Sequence, residues 1–291
     1  MTVALEGKPH YILNASCASR LGTVAAVSGF LASRRCYITD MQQFDDILSE
    51  RFFVRVTFYG DAEHTPAPEE LRAQFEEVAT KEQMEWSIYD GAKKPRVLIM
   101  VSKFDHCLVD LLYRQRTGEL NMDITSVVSN HPDLRQLVES HGIPYVHLPV
   151  TPDTKAAQEA RLLAIVEETQ SELVVLARYM QVLSDDLCRN LRGRAMNIHH
   201  SFLPGFKGAK PYHQAHTRGV KLTGATAHYV TADLDEGPII EQFVERVDHT
   251  YTPEKLAAAG RDSECRALAT ALRFHIERRV FLNGSRTVVF R

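Results

Sequence analysis

The rhythm of apolar and polar positions changes near residue 90. Before it, Tyr11 to Leu13 is a short apolar run, and a polar turn region leads to Gly22. Thr23 to Leu31 then sets Val24, Val27, Phe30 and Leu31 at helical spacing. Phe52 to Phe58 places Val54, Val56 and Phe58 on one face, the period of a strand. A further short strand is expected around Cys36 to Thr39. Pro66 and Pro68 precede a helical stretch from Glu69 to Ala79, and Glu85 to Tyr89 reads as a final strand. The implied order, strand-helix-strand-strand-helix-strand, is that of a split βαβ (ferredoxin-like) unit, with helices on one face of its sheet.

Asp90-Gly-Ala-Lys-Lys-Pro95 punctuates the chain as a linker, which predicts domains over 1–91 and 92–291. Beyond it, short apolar runs alternate with helical patterns. Strands are predicted at Arg96 to Val101, Ile124 to Ser129, Tyr145 to Val150 and Leu173 to Ala177. The intervening helices are Cys107 to Arg116, Asp133 to Ser140 and Ala156 to Thr169. That alternation predicts an open α/β domain with a mostly parallel sheet, whose site lies beyond the carboxyl ends of its strands. A strand from Gly224 to Val230 and another from Ile239 to Gln242 flank the acidic loop Asp233-Leu-Asp-Glu-Gly-Pro238.

Composition narrows the class. The 291 residues suit about two domains. The apolar fraction of 44% and charged fraction of 24% are those of a globular chain, not a disordered or fibrous one. Lys plus Arg is 34 against 37 for Asp plus Glu, without a basic stripe, so a nucleic-acid partner is not expected. Five scattered cysteines without a CxxC pair argue against a disulfide framework or structural zinc. With no leader pattern and no long apolar run, a cytoplasmic protein without a membrane span is expected.

The candidate chemistry lies in residues 195–240. Ala195-Met-Asn-Ile-His-His-Ser-Phe-Leu-Pro204 puts Asn197, His199 and Ser201 on alternating positions, so a strand there would aim all three one way. His200 would then face the opposite side and serve packing. Pro204, Gly205 and Gly208 form a tight loop after it. Asn, His and a carboxylate from the 233–238 loop suit attack on a carbonyl. The amide stabilises a forming oxyanion, the imidazole moves a proton, and the carboxylate orients it. Each residue also has an ordinary structural reading, His228 as a satisfied core histidine and Asp233 and Asp235 as caps or solvated groups. His213 and His216 form no metal-binding set. Val101-Ser-Lys-Phe-Asp-His106 has no glycine, which disfavours a phosphate cradle after the first strand of the second domain.

Asn197-Ile-His-His-Ser-Phe-Leu-Pro204, Gly208, Gly224-Ala-Thr-Ala-His228 and Leu234-Asp-Glu-Gly-Pro238 resemble the formyltetrahydrofolate-dependent formyltransferase and hydrolase family. Lys210-Pro-Tyr-His-Gln-Ala215 and Val247-Asp-His-Thr-Tyr-Thr252 resemble its deformylase branch in particular. The resemblance implies an N-terminal ACT domain joined to a formyltransferase-like catalytic domain. It implies hydrolysis of 10-formyltetrahydrofolate, with that folate as substrate and no cofactor or metal. It implies Asn197, His199 and Asp235 as the catalytic trio, and a folate pocket that includes Met180, Gln181, Val182, Leu183, Val230 and Asp233. Glycinamide ribonucleotide formyltransferases in this family carry a glycine-rich loop where this chain has none, which favours water as acceptor. Two alternatives stand beside this: a formyltransferase acting on an unphosphorylated acceptor, and an inactive folate-binding regulatory protein. The resemblance also implies a homo-oligomer and an amino-acid effector at the ACT loop. There Cys17-Ala-Ser-Arg-Leu-Gly-Thr-Val24 keeps Arg20 and Gly22 but lacks the family's acidic residue and both prolines, which points toward oligomerisation as the retained role.

Overall fold

β1 (His10–Ala18) alternates side chains between two faces, and Tyr11, Leu13, Ala15 and Cys17 all enter one core. This computed structural model describes residues 7–61, 63–205 and 211–291. The chain divides into two compact units. In the first, Gly22 takes φ 90° at the N-cap and turns the chain into α1 (Thr23–Ser33). The strands β2 (Tyr37–Asp46) and β3 (Arg51–Tyr59) follow, then α2 (Pro68–Glu82) and β4 (Glu85–Asp90). Pro68 in the first turn of α2, followed by Glu69 and Glu70, suits a helix start. The sheet order is β2-β3-β1-β4, with every pairing antiparallel. Leu31 from α1 and Leu71 and Phe75 from α2 pack against Leu13, Val54, Val56 and Phe58.

β2 runs to Asp46, well past the Thr39 expected from the sequence. It is an edge strand with little to bury, so its alternation is weak. The first unit also takes residues 278–283 and 288–291. β12 (Val280–Asn283) and β13 (Arg286–Val289) pair as a two-stranded sheet. Phe281 and Phe290 pack on Phe53, and the Phe53 and Phe281 rings meet edge-on at 5.7 Å.

The second unit comprises Pro95–Glu277 and Gly284–Thr287. Its first strands and helices are β5 (Arg96–Val101), α3 (His106–Arg116), β6 (Asp123–Ser129), α4 (Arg135–Glu139), β7 (Tyr145–His147), α5 (Lys155–Glu168) and β8 (Leu173–Leu176). β7 stops well short of the expected Val150, in a stretch where Pro149 has no N–H to offer a ladder. Then come α6 (Asp185–Asn190), β9 (Ala195–His199), α7 (Pro211–Arg218), β10 (Leu222–Tyr229), β11 (Ile239–Arg246) and α8 (Pro253–Ile276). The seven-stranded sheet has the order β11-β10-β9-β8-β5-β6-β7. β9, β8, β5, β6 and β7 are parallel, and β10 and β11 add an antiparallel ribbon at one edge. The architecture is therefore α/β with two sheets, the larger one mixed and mostly parallel.

α8 has no counterpart among the sequence-based expectations. Thr252 caps it by accepting a hydrogen bond from Lys255 N, but its buried face includes Gly260, Ser263 and Glu264 among small apolar residues. That interruption hides the stripe that would announce a helix. No helix among the described residues is long and apolar enough to cross a membrane.

Candidate active site

β9 brings Asn197 and His199 to one face, while Met196 and Ile198 enter the core on the other. The strand ends at His199, so the expected alternation does not reach Ser201. Ser201 is buried and its hydroxyl donates to the Gly205 carbonyl at 2.9 Å, a loop-closing bond. His200, expected on the opposite face, lines the same cavity as His199, and the two rings lie 4.9 Å apart. Gly208 and Lys210 lie outside the described residues.

Antiparallel pairing sets His228 of β10 opposite Asn197. His228 Nδ1 lies 2.9 Å from the Tyr229 carbonyl, to which it can only donate. In the neutral ring Nε2 is then the acceptor for Asn197 Nδ2, 3.3 Å away. His228 therefore fixes how the Asn197 amide is presented. As a lone histidine within an apolar strand it looked like core; the cross-strand register is the signal that identifies it.

Asp235 reaches this pair from the loop between β10 and β11. Its backbone is left-handed, φ 58°, and its Oδ1 stands 3.2 Å from His199 Nδ1 and 3.7 Å from His228 Nε2. Gly237 permits that turn, because a Cβ there would lie 1.7 Å from the Tyr229 carbonyl oxygen. Burial pushes the Asp235 carboxyl up, but its interactions with the His199 imidazole, and next with that of His228, outweigh it and hold the group well below the usual carboxylate range. His199 is 5% exposed and its Nε2 has no hydrogen-bond partner. A buried, unpartnered imidazole nitrogen beside a cavity is costly unless a bound molecule completes it.

The cavity holds about 240 Å³. Met180, Gln181, Val182, Leu183 and Val230 line it together with Asn197, His199 and Asp235. Asp233 is exposed and is not among the lining residues; its carbonyl accepts from Thr231 Oγ1 at 3.0 Å. The 179–183 segment is held from behind. Glu159 accepts from Ser184 N at 2.9 Å and from the Ser184 hydroxyl, and Ser102 Oγ accepts from Met180 N at 2.9 Å.

Beside His200, Glu264 of α8 accepts from Tyr212 and lies against His106 and Arg178. His106, Cys107 and Glu264 are the one group among the described residues with metal-ligating atoms mutually within 4.8 Å. The guanidinium of Arg178 faces the same Glu264 oxygen and would repel a cation. The Cys265 thiol and burial together drive the Cys107 thiol far upward, away from the thiolate a metal needs. The donor set suits an ion-pair network rather than a metal.

Residues 95–272 match the family model described as Formyl transferase. A formyltetrahydrofolate deformylase from Corynebacterium sp. (strain P-1) is 55% identical over 284 residues, covering 97% of this chain and 98% of that one. This chain belongs to the formyltetrahydrofolate deformylase family. A crystal structure of a deformylase from Burkholderia mallei superposes with a TM-score of 0.93 at 59% identity, over 97% of this chain and all of that one, 100%. A glycinamide ribonucleotide transformylase from Symbiobacterium toebii matches less of it, with a TM-score of 0.65 at 29% identity over 70% of this chain and 97% of its own. Deformylases therefore share both units with this chain, and the transformylase is similar over a smaller part.

Proposed function

We propose that this chain hydrolyses 10-formyltetrahydrofolate to tetrahydrofolate and formate. The observation that carries the reading is His199: its Nδ1 faces the Asp235 carboxylate, and its buried Nε2 stands unpartnered at a cavity large enough for a flat heterocycle. Met180, Val182 and Leu234 supply exposed apolar surface at the rim, suited to the pterin, while Gln181 and Val230 line the wall.

In this mechanism His199 Nε2 takes one proton from a water as its oxygen bonds to the N10-formyl carbon. Asp235 stabilises the resulting imidazolium through Nδ1. The second N–H of the Asn197 amide, oriented by His228, and the imidazolium stabilise the oxyanion. The C–N10 bond then breaks with its electron pair going to nitrogen, and the proton held by His199 passes to N10. Formic acid leaves and ionises in solution. The Asp233 side chain, exposed on the loop, would act at most on the outer part of the folate.

The first unit supports an ACT-like reading through its β-α-β-β-α-β order and the β2-β3-β1-β4 sheet. Its proposed role is association between subunits, with any amino-acid effector secondary because of the altered 17–24 loop. A division into an ACT-like domain over 1–91 and a catalytic domain over 92–291, and a cytoplasmic location, belong to the same proposal.

The test is purified protein with 10-formyltetrahydrofolate and no added amine, following formate and tetrahydrofolate in equal amounts. Turnover that requires an amine acceptor would replace hydrolysis with transfer, and absence of turnover would favour a binding role.

A further inference from the structure

Strand order in the larger sheet reverses at the β5–β8 pair, with β6 and β7 to one side and β9 to the other. In a wound parallel sheet, the crevice beyond the carboxyl ends at that reversal is where a ligand is ordinarily taken. The segments leaving those ends carry Phe104 and His106 after β5 and Arg178 after β8. Arg178 has φ 64° and its guanidinium stands 5.2 Å from the Phe104 ring centroid.

Instead of opening onto solvent, His106 and Arg178 close on Glu264, whose side chain is 1% exposed. Glu264 Oε2 lies 2.8 Å from His106 Nε2 and 3.3 Å from Arg178 Nε, and Oε1 accepts from Tyr212 Oη at 2.8 Å. An imidazole and a phenol hydroxyl bonded to the two oxygens, with a guanidinium charge paired against one of them, make a setting for an anion. The backbone makes room for it. Gly260, one turn before Glu264 on α8, clears the Tyr212 ring, since a Cβ there would lie 1.9 Å from Tyr212 Oη. The open cavity is shifted sideways to the ends of β8, β9 and β10, with Arg178 and His200 on the wall toward Glu264.

We infer that the crevice at the sheet reversal is a built anion site whose occupant is the protein's own Glu264, and that this internal carboxylate bars an anionic second substrate from the formyl carbon. The inference rests on the hydrolytic reading above and deepens it by giving water its exclusivity. An apolar plug of the same volume would leave Arg178 buried and unpaired, so the filling group has to be an anion.

Removing the carboxylate should turn the crevice into a site for a free anion. The experiment compares wild type, Glu264→Ala and Glu264→Gln by thermal unfolding in inorganic phosphate, acetate or chloride at matched ionic strength. Glu264→Ala should gain about 4 °C at a tenfold excess of phosphate or acetate over its dissociation constant, and nothing from chloride. Wild type and Glu264→Gln, whose crevice stays filled, should not respond. Adding Arg178→Met to Glu264→Ala should abolish the gain. A Glu264→Ala protein that folds only with phosphate or acetate supports the inference equally. A folded Glu264→Ala protein responding no more than wild type overturns it, as does one that folds in no anion, or a gain that survives Arg178→Met. These readouts do not use turnover, so a wild-type protein that released no formate would defeat the hydrolytic reading separately.

Discussion

Asp235→Asn is the most direct test of the proposed trio, and the backbone allows it cleanly. Asp235 occupies the left-handed region at φ 58°, which asparagine tolerates, so the loop should keep its course. What changes is charge. A carboxylate 3.2 Å from His199 Nδ1 attracts an imidazolium by roughly 5 kcal/mol at an effective dielectric of about 20. The Asp235 side chain is 13% exposed, and the amide oxygen retains a hydrogen bond, so the net loss in the transition state is about 3 kcal/mol. That corresponds to a fall in kcat of roughly 100-fold. KM should change little, because the charge matters once the imidazolium forms. The assay is initial-rate formate release from pH 5 to 9, with circular dichroism and urea midpoints confirming the fold. In stability, the depressed carboxyl contributes fully above its unfolded value of about 4, and the contribution vanishes as pH falls through the lower folded value. A native-like Asp235→Asn protein within fivefold of the wild-type kcat would refute the assignment.

Three further outcomes follow from the geometry. Burial, then the charges of Arg178 and His199, hold His200 down to about 4, with Glu264 and Asp235 opposing. The unfolded chain therefore takes up this proton first, so stability falls as pH drops from about 6.5 to about 4, and His200→Asn should flatten that limb in urea titrations. Gly237→Ala would drive a methyl against the Tyr229 carbonyl, costing about 2 kcal/mol in urea unfolding and reducing kcat by roughly 100-fold through displacement of Asp235. Glu159→Ala should release the 179–183 segment at Ser184, raising KM by about tenfold with kcat within about threefold. Equal effects on both constants would instead mean that the loop positions the reacting groups.

The β5 strand was legible to the residue, because a central parallel strand is apolar throughout and ends where the polar loop begins. Asn197 and His199 stood out as candidates for the opposite reason: two polar groups at period two on an otherwise buried strand are costly unless satisfied or used. Asp235 could be placed only through family resemblance, since a carboxylate in a left-handed loop residue carries no periodic signal. His228 became meaningful only when register set it across from Asn197. The Glu264 cluster was invisible for a physical reason. Its members come from the start of α3, the segment after β8, α7 and the middle of α8, and only the sheet reversal brings these together. Glu264 even obscured its own helix by interrupting the apolar stripe.

The return of residues 278–283 and 288–291 to the first unit has a consequence for synthesis on the ribosome. Phe53 is made early, yet its partners Phe281 and Phe290 are translated only after the Pro95–Glu277 stretch of the α/β unit. The amino-terminal unit therefore emerges with one face of its sheet still wet, and must wait for the entire intervening α/β unit before that face closes. A nascent chain stalled after Glu277 would carry all the groups of the proposed active site and still expose Phe53, making such a chain a natural client for chaperones.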